Sequence, residues 1–150
     1  MPATVEREYH NLPGIRAAAS EVKSISGQGE QTKAFMPRRN LLALLDDFVW
    51  FARDVAVVEI SGYRREKVTY AELSAGARYW SHALAGCGIE PGDRVLLWGR
   101  NSAPWVACFW GILLRGAVVV PMDATASPDF VARAIQDSGA KLLVRDREAA

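Results

Sequence analysis

The sequence predicts an α/β fold, a doubly wound and mostly parallel sheet preceded by an N-terminal helix and a β-hairpin. Three observations carry that prediction. From Arg94 onward the pattern runs strand, helix, strand, helix, strand, with only short connections between elements. The segment "AVVVP" (117–121) is continuously apolar, as expected of a central parallel strand covered on both faces. In "LLRGAVVVPMDATASP" (113–128), a glycine helix stop, that strand and a Ser-Pro helix start follow one another with almost no slack.

The elements follow in order. Residues 1–39 are rich in Gly, Ser, Glu and Gln without a sustained period, and are expected to form a disordered extension with at most a short helix near 15–22. The domain proper is expected over 40–150. Asn40 is placed to cap "NLLALLDDFVWFAR", where Leu41, Leu44, Leu45, Phe48 and Phe51 recur at helical spacing. "VAVVEI" (55–60) reads as a strand, "SGYRRE" as a turn and "KVTY" as the returning strand of a hairpin. "TYAE" (69–72) is a capping box: Thr69 accepts from the Glu72 amide while the Glu72 carboxylate reaches back to the Thr69 amide. The helix it opens aligns Leu73, Ala77, Trp80 and Leu84 on one stripe and ends near Gly88.

"GDRVLLWG" (92–99) supplies the next strand, and "NSAPWVACFWGILLR" (101–115) a helix so apolar that more than one side must be buried. Gly116 is expected at positive φ, just past that helix. Ser127 caps the next helix, with Pro128 at its first position, where no amide is needed. Phe130, Val131, Ala134 and Ile135 form its inner face, Gly139 ends it, and "AKLLVRD" (140–146) is the last strand.

Composition narrows the function classes. With 18 Lys and Arg against 17 Asp and Glu, the net charge is +1, too balanced for a protein that neutralises nucleic-acid phosphates. The basic runs Pro37-Arg38-Arg39 and Arg64-Arg65-Glu66-Lys67 read as solvated turns. Cys87 and Cys108 have no CxxC spacing and no His nearby, so they read as ordinary buried thiols of a reducing compartment. Zinc would need about four clustered ligands. Residues 1–30 contain no apolar run of signal-peptide length, and Glu6, Glu8, Glu21 and Glu30 argue against a transit peptide. Ala103–Met122 is apolar enough to mimic a membrane span, but Arg115 lies in its middle. That charge at a bilayer centre would cost about 2.5–3.5 kcal/mol, so no transmembrane segment is expected.

In doubly wound sheets, ligands bind beyond the carboxyl ends of the strands. The loops Gly99-Arg100-Asn101 and Asp123–Ala126 belong there, the second leading into a helix N-terminus whose amides favour an anion. The competing reading is that Asp123 and Thr125 only finish a turn. Gly86, Gly88 and Gly92 follow a helix instead of a strand, so they form no dinucleotide fingerprint, and neither GxxxxGK[ST] nor GxSxG occurs. His10 and His82 have no evident partners, with His82 on the outer side of its helix. Trp98, Trp105 and Trp110 lie within apolar segments and read as core aromatics.

"VTYAEL" (68–73), "GIEPGDRVLLWGRNSAPWVACFWGILLRGAVVVPMD" (88–123) and "SPDFVARAIQDSGAKLLV" (127–144) resemble adenylate-forming enzymes. That family comprises acyl-CoA synthetases, adenylation domains and luciferases. "TYAEL" is similar to the first core motif of adenylation domains and "LLRGAVVVPMD" to the second; among the branches, bacterial long-chain fatty-acid–CoA ligases are the most similar. The resemblance covers residues 40–150 and implies part of a domain, the N-terminal portion of such an enzyme. It implies ATP, Mg2+ and coenzyme A as cofactors of the complete enzyme, and a fatty acid or other carboxylate as substrate. The carboxylate attacks the α-phosphate of ATP, giving an acyl-adenylate and pyrophosphate; a thiol then displaces AMP.

The family's phosphate loop with its Lys, its Mg-binding Glu, its ribose-binding Asp and its C-terminal catalytic Lys have no counterpart in these 150 residues. No catalytic and no metal-ligating residue is therefore assigned, and no cofactor is expected to bind this stretch tightly. Asp123, Ala124 and Thr125 align with a segment beside coenzyme A in some relatives and are the candidate cofactor-binding residues. The resemblance further implies a cytoplasmic or membrane-peripheral location, and self-association through surfaces that later segments would cover. Two alternatives remain: a non-catalytic α/β interaction module, and an unrelated doubly wound nucleotide-binding domain. The latter needs an acidic or glycine-rich cluster at the strand ends, where only Asp123 and Asp146 qualify.

Overall fold

The computed structural model describes residues 5–8 and 40–146. Ten elements appear: β1 (Val5–Glu8), a 3-10 helix (Leu41–Val49), β2 (Val55–Ser61), β3 (Arg64–Thr69), α1 (Tyr70–Gly86), β4 (Arg94–Gly99), α2 (Ala103–Leu114), β5 (Val118–Asp123), α3 (Pro128–Ser138) and β6 (Leu142–Arg145). The expected extension over 1–39 lies outside the described residues except at Val5–Glu8. There the chain adds a strand, parallel to β6, which the sequence reading lacked.

The first helix is a 3-10 helix where the sequence suggested an α-helix. Asn40 caps it as expected, accepting from the Ala43 amide at 3.2 Å. Leu45, Phe48 and Phe51 are three residues apart, as are Leu41 and Leu44, which is the repeat of a 3-10 helix. Phe48 anchors the segment edge-on against Tyr70 (4.9 Å between centroids) and Trp110 (5.5 Å).

The hairpin pairs β2 with β3 antiparallel, from Val55 opposite Thr69 to Ser61 opposite Arg64. Its turn is therefore only Gly62-Tyr63, and Arg64–Lys67 lie on a solvated strand instead of in a turn. Thr69 and Glu72 form both bonds of the capping box, with the Glu72 carboxylate 2.8 Å from the Thr69 amide. Along α1, Leu73, Ala77, Trp80 and Leu84 are buried, as the stripe required.

The main sheet has the order β1-β6-β4-β5, with every pairing parallel. From β4 the chain crosses to β5 on one side, then returns past β4 to β6 on the other. With right-handed crossovers that reversal puts successive helices on opposite faces. The packing agrees. Val95, Leu97, Leu142 and Val144 lie in one core with α1 and α2, while Leu96, Trp98 and Leu143 lie in another with Val131, Ala134 and Ile135 of α3. Phe130, expected on that inner face, is instead half exposed, with the Arg133 guanidinium 5.9 Å from its ring centroid.

The central strand is β4, whose Val95 to Trp98 are all buried. The expectation that "AVVVP" is central is corrected: β5 pairs only with β4 among the described strands, and Val118 is exposed. Pro121 was the overlooked signal, because a residue without an N–H is tolerated mainly on edge strands. Arg115, the charge inside the apolar stretch, donates from Nε to the Ile89 carbonyl at 2.6 Å. Among the described residues no helix is long and apolar enough to cross a membrane.

Gly116 has φ +75°, and Ala117 donates to the Ile112 carbonyl at 3.1 Å, closing α2 with a left-handed residue. A Cβ at Gly116 would also stand 3.2 Å from Pro91 Cβ. Gly116→Val is expected to cost roughly 1–2 kcal/mol through left-handed strain, read as a lowered urea midpoint.

Candidate functional site

Three chain segments meet at the carboxyl end of the sheet. Gly99 at the end of β4 pairs with Asp123 at the end of β5, and the Asp146 amide after β6 donates to the Trp98 carbonyl at 2.9 Å. Parallel strands in register make their following loops neighbours, so the loops after Gly99 and after Asp123 lie side by side, as the sequence predicted.

The loop after β5 is internally bonded. The Asp123 Oδ1 accepts from the Thr125 amide at 2.8 Å and from its hydroxyl at 2.6 Å, and the Ala126 amide donates to the Asp123 carbonyl. These Thr125 hydrogen bonds, the hydroxyl first, hold the Asp123 carboxyl below its ordinary range. Asp123 and Thr125 are exposed and Ala124 is half-buried. At the start of α3, Ser127 accepts from the Phe130 amide, Pro128 has no amide, and Asp129 brings its own negative charge. The positive end of α3 is thus largely compensated from within the chain.

Asp123 and Asp146 flank β4 from opposite sides, β5 and β6 respectively. Asp146 is fully buried, and the Arg100 Nε lies 3.5 Å from its Oδ2. Arg100 therefore bridges the ends of β4 and β6 while its guanidinium remains half exposed. Beside it opens a cleft of about 530 Å³. One wall is the hairpin from Val57 to Ile60; the other is Asn101, Ser102 and Val106 at the start of α2. Glu59 spans the two, its carboxylate accepting from the Ala103 amide. Ser102 accepts from the Trp105 amide at 3.3 Å. The N-terminus of α2 is thereby capped by a carboxylate from another element.

Sequence reasoning singled out the loop residues but missed Glu59 and the Arg100–Asp146 pair. A lone Glu inside "VAVVEI" was the available signal for the first. The second joins residues 46 apart, which no local pattern reveals. Among the described residues, no group of three His, Cys, Asp or Glu could hold a metal ion. His82 is exposed on α1, His10 lies outside the described residues, and Cys108 is buried, which pushes its thiol up well above the usual range. Among the described residues the arrangement shapes a cleft and holds its walls together.

Comparison with known proteins places this geometry. Residues 50–150 match the family model of the AMP-binding enzyme. The chain is 40% identical over 81 residues to the 3-hydroxybenzoate–CoA/4-hydroxybenzoate–CoA ligase of Thauera aromatica, covering 54% of this chain and 16% of that protein. It is 35% identical over 78 residues to the long-chain-fatty-acid–CoA ligase FadD13 of Mycobacterium tuberculosis, covering 52% of this chain and 16% of that protein. Its fold is similar to the inhibitor-bound N-terminal domain of FACL13 from the same organism. There the TM-score is 0.67 at 32% identity, over 75% of this chain and 28% of that one. The chain thus spans a small part of the length of its relatives. A family match over residues 50–150, on a partly built sheet similar to such N-terminal domains, shows that the chain belongs to the AMP-binding enzyme family.

Proposed function

We propose that this chain is the N-terminal part of an ATP-dependent carboxylate–CoA ligase, with a fatty acid as the carboxylate, acting in the cytoplasm. The similarity to the FACL13 N-terminal domain, on the same sheet and crossing helices, is the observation that carries this reading. The aromatic-acid ligase among its relatives makes the acyl group the least constrained part of it.

We also propose that these 150 residues do not form the acyl-adenylate alone. Stabilising charge on a reacting phosphate requires preorganised donors and a metal around it. The described residues do not fit Mg-ATP: the start of α2 is capped by Glu59, that of α3 carries Asp129, and no metal-holding cluster is present among them. This part's contribution would be a rigid sheet and the walls at its carboxyl end. Asp123, Ala124 and Thr125 would line the approach of coenzyme A as a folded wall, since the Thr125 and Ala126 amides are already bonded to Asp123.

ATP–pyrophosphate exchange with a panel of fatty acids tests this, run on the 150 residues and on the chain translated beyond Ala150. Exchange is expected only from a longer chain. Exchange by the purified 150 residues overturns the claim of inactivity, and silence from a longer chain carrying the phosphate loop overturns the ligase assignment.

A further inference from the structure

The β2–β3 hairpin carries both of its acids on one face and two of its three cations on the other. Residues directly opposite in an antiparallel pair share a face. Glu59 pairs with Glu66, and that face turns toward α2, where Glu59 meets the Ala103 amide. Arg64, which lines the cleft, stands near the turn at the end of the hairpin. The opposite face carries Val58 across from Lys67 and Ile60 across from Arg65, and all four are exposed. Ile60 is 76% exposed, and Tyr63 in the turn stands wholly in solvent. Among the described residues of the hairpin, no acid shares that outer face.

Single exposed apolar residues need no explanation. Here two aliphatic side chains on one strand run beside two cations on the other, with an aromatic at the tip. We propose that the outer face of the β2–β3 hairpin is a docking surface for an anionic lipid membrane. Tyr63 and Ile60 seat among the headgroups, and Arg65 and Lys67 pair with the lipid anions. Charge complementarity selects this occupant. A nucleic acid would use the cations but leave Val58 and Ile60 in water, and a second copy of the same face would set cation against cation. Val58 and Ile60 also border the cleft along β2, so a docked membrane lies at its rim. The inference does not depend on the ligase reading.

Sedimentation of the 150-residue chain with vesicles tests it. One set is phosphatidylcholine alone, and the other is phosphatidylcholine mixed with phosphatidylserine. Binding is expected to the anionic vesicles only, and release at about 1 M salt, where screening acts within about 3 Å. Each Lys or Arg at an anionic surface strengthens binding by about fivefold, so the double variant Arg65→Glu/Lys67→Glu should weaken it by at least about 20-fold. Tyr63→Ser and Ile60→Ser should weaken it without altering its salt dependence. All four side chains are exposed, so the variants should keep the parent's urea midpoint, which confirms that a loss of binding is not a loss of fold. Equal binding to neutral vesicles, undiminished binding by Arg65→Glu/Lys67→Glu, or no binding by the folded parent overturns the proposal. So does a dimer that Ile60→Ser dissolves while vesicles are ignored.

Discussion

Gly111→Ala is expected to destabilise the chain by about 2 kcal/mol net, although alanine is the better helix former by about 1 kcal/mol. Gly111 lies in α2 where it crosses α1. A Cβ there would overlap Trp80 Cβ and stand 2.9 Å from the Ala77 carbonyl oxygen and 3.1 Å from the Ser81 amide nitrogen. None of these atoms is the far end of a flexible side chain, so relief requires the helices to separate. Separation loosens the packing of Trp80, Ala107, Cys108 and Ile112, all buried in one core. The steric cost, about 3 kcal/mol for so close a contact, outweighs the propensity gain. Gly86→Ala is the control, because nothing lies within 4 Å of a Cβ built at that position. Urea titration should give a large drop in midpoint for the first and an unchanged or slightly raised midpoint for the second. Equal midpoints would show that α1 and α2 do not touch at Gly111.

Leu97→Ala is expected to cost about 3–4 kcal/mol, while Val118→Ala costs less than about 1 kcal/mol. Leu97 is fully buried on β4, between β5 and β6 and beneath α1 and α2. Truncating it removes transfer energy and leaves a cavity in a region with little room to relax. Val118 opens β5 and is 46% exposed, so only part of its side chain is lost from the core. Midpoints from urea unfolding at unchanged slope measure the difference. Had "AVVVP" been the covered central strand, the two losses would be similar. A Val118→Ala cost of about 2 kcal/mol would show β5 to be covered on both faces.

Much of the local structure was legible from short patterns. The capping box at Thr69 and Glu72, the caps at Asn40 and Ser127, and the stop at Gly116 involve atoms within a few residues of one another. At these helix ends the backbone hydrogen bonds are met locally, so the residues that meet them stand in the sequence beside the end they close. The buried stripe of α1 was legible for a related reason: helical geometry converts spacing into a face.

The candidate site was legible only as a place. The rule that loops gather beyond the carboxyl ends of parallel strands located the segments after Gly99 and Asp123. It did not reveal that Arg100 would pair with Asp146, nor that Glu59 would leave an apolar strand to cap α2. Those contacts span 46 and 44 residues and depend on how the hairpin and the sheet are set against each other.

Local patterns specify most of the helices and strands from Asn40 onward, where most of them begin and end, and that the strands from β4 onward run parallel, but neither the strand at Val5–Glu8 nor the 3-10 form of the first helix. Only the packing of the elements shows that, among the described strands, β4 is central and β5 an edge, that Asp146 is buried and that Phe130 is not. The division has a physical cause. Hydrogen-bond closure and side-chain periodicity act within one or two turns of chain and are written in neighbouring letters. Strand order and burial follow from which surfaces remain to be covered once all elements are present. "VVVP" is equally apolar at the centre of a sheet and at its rim, and only its neighbours in space distinguish the two.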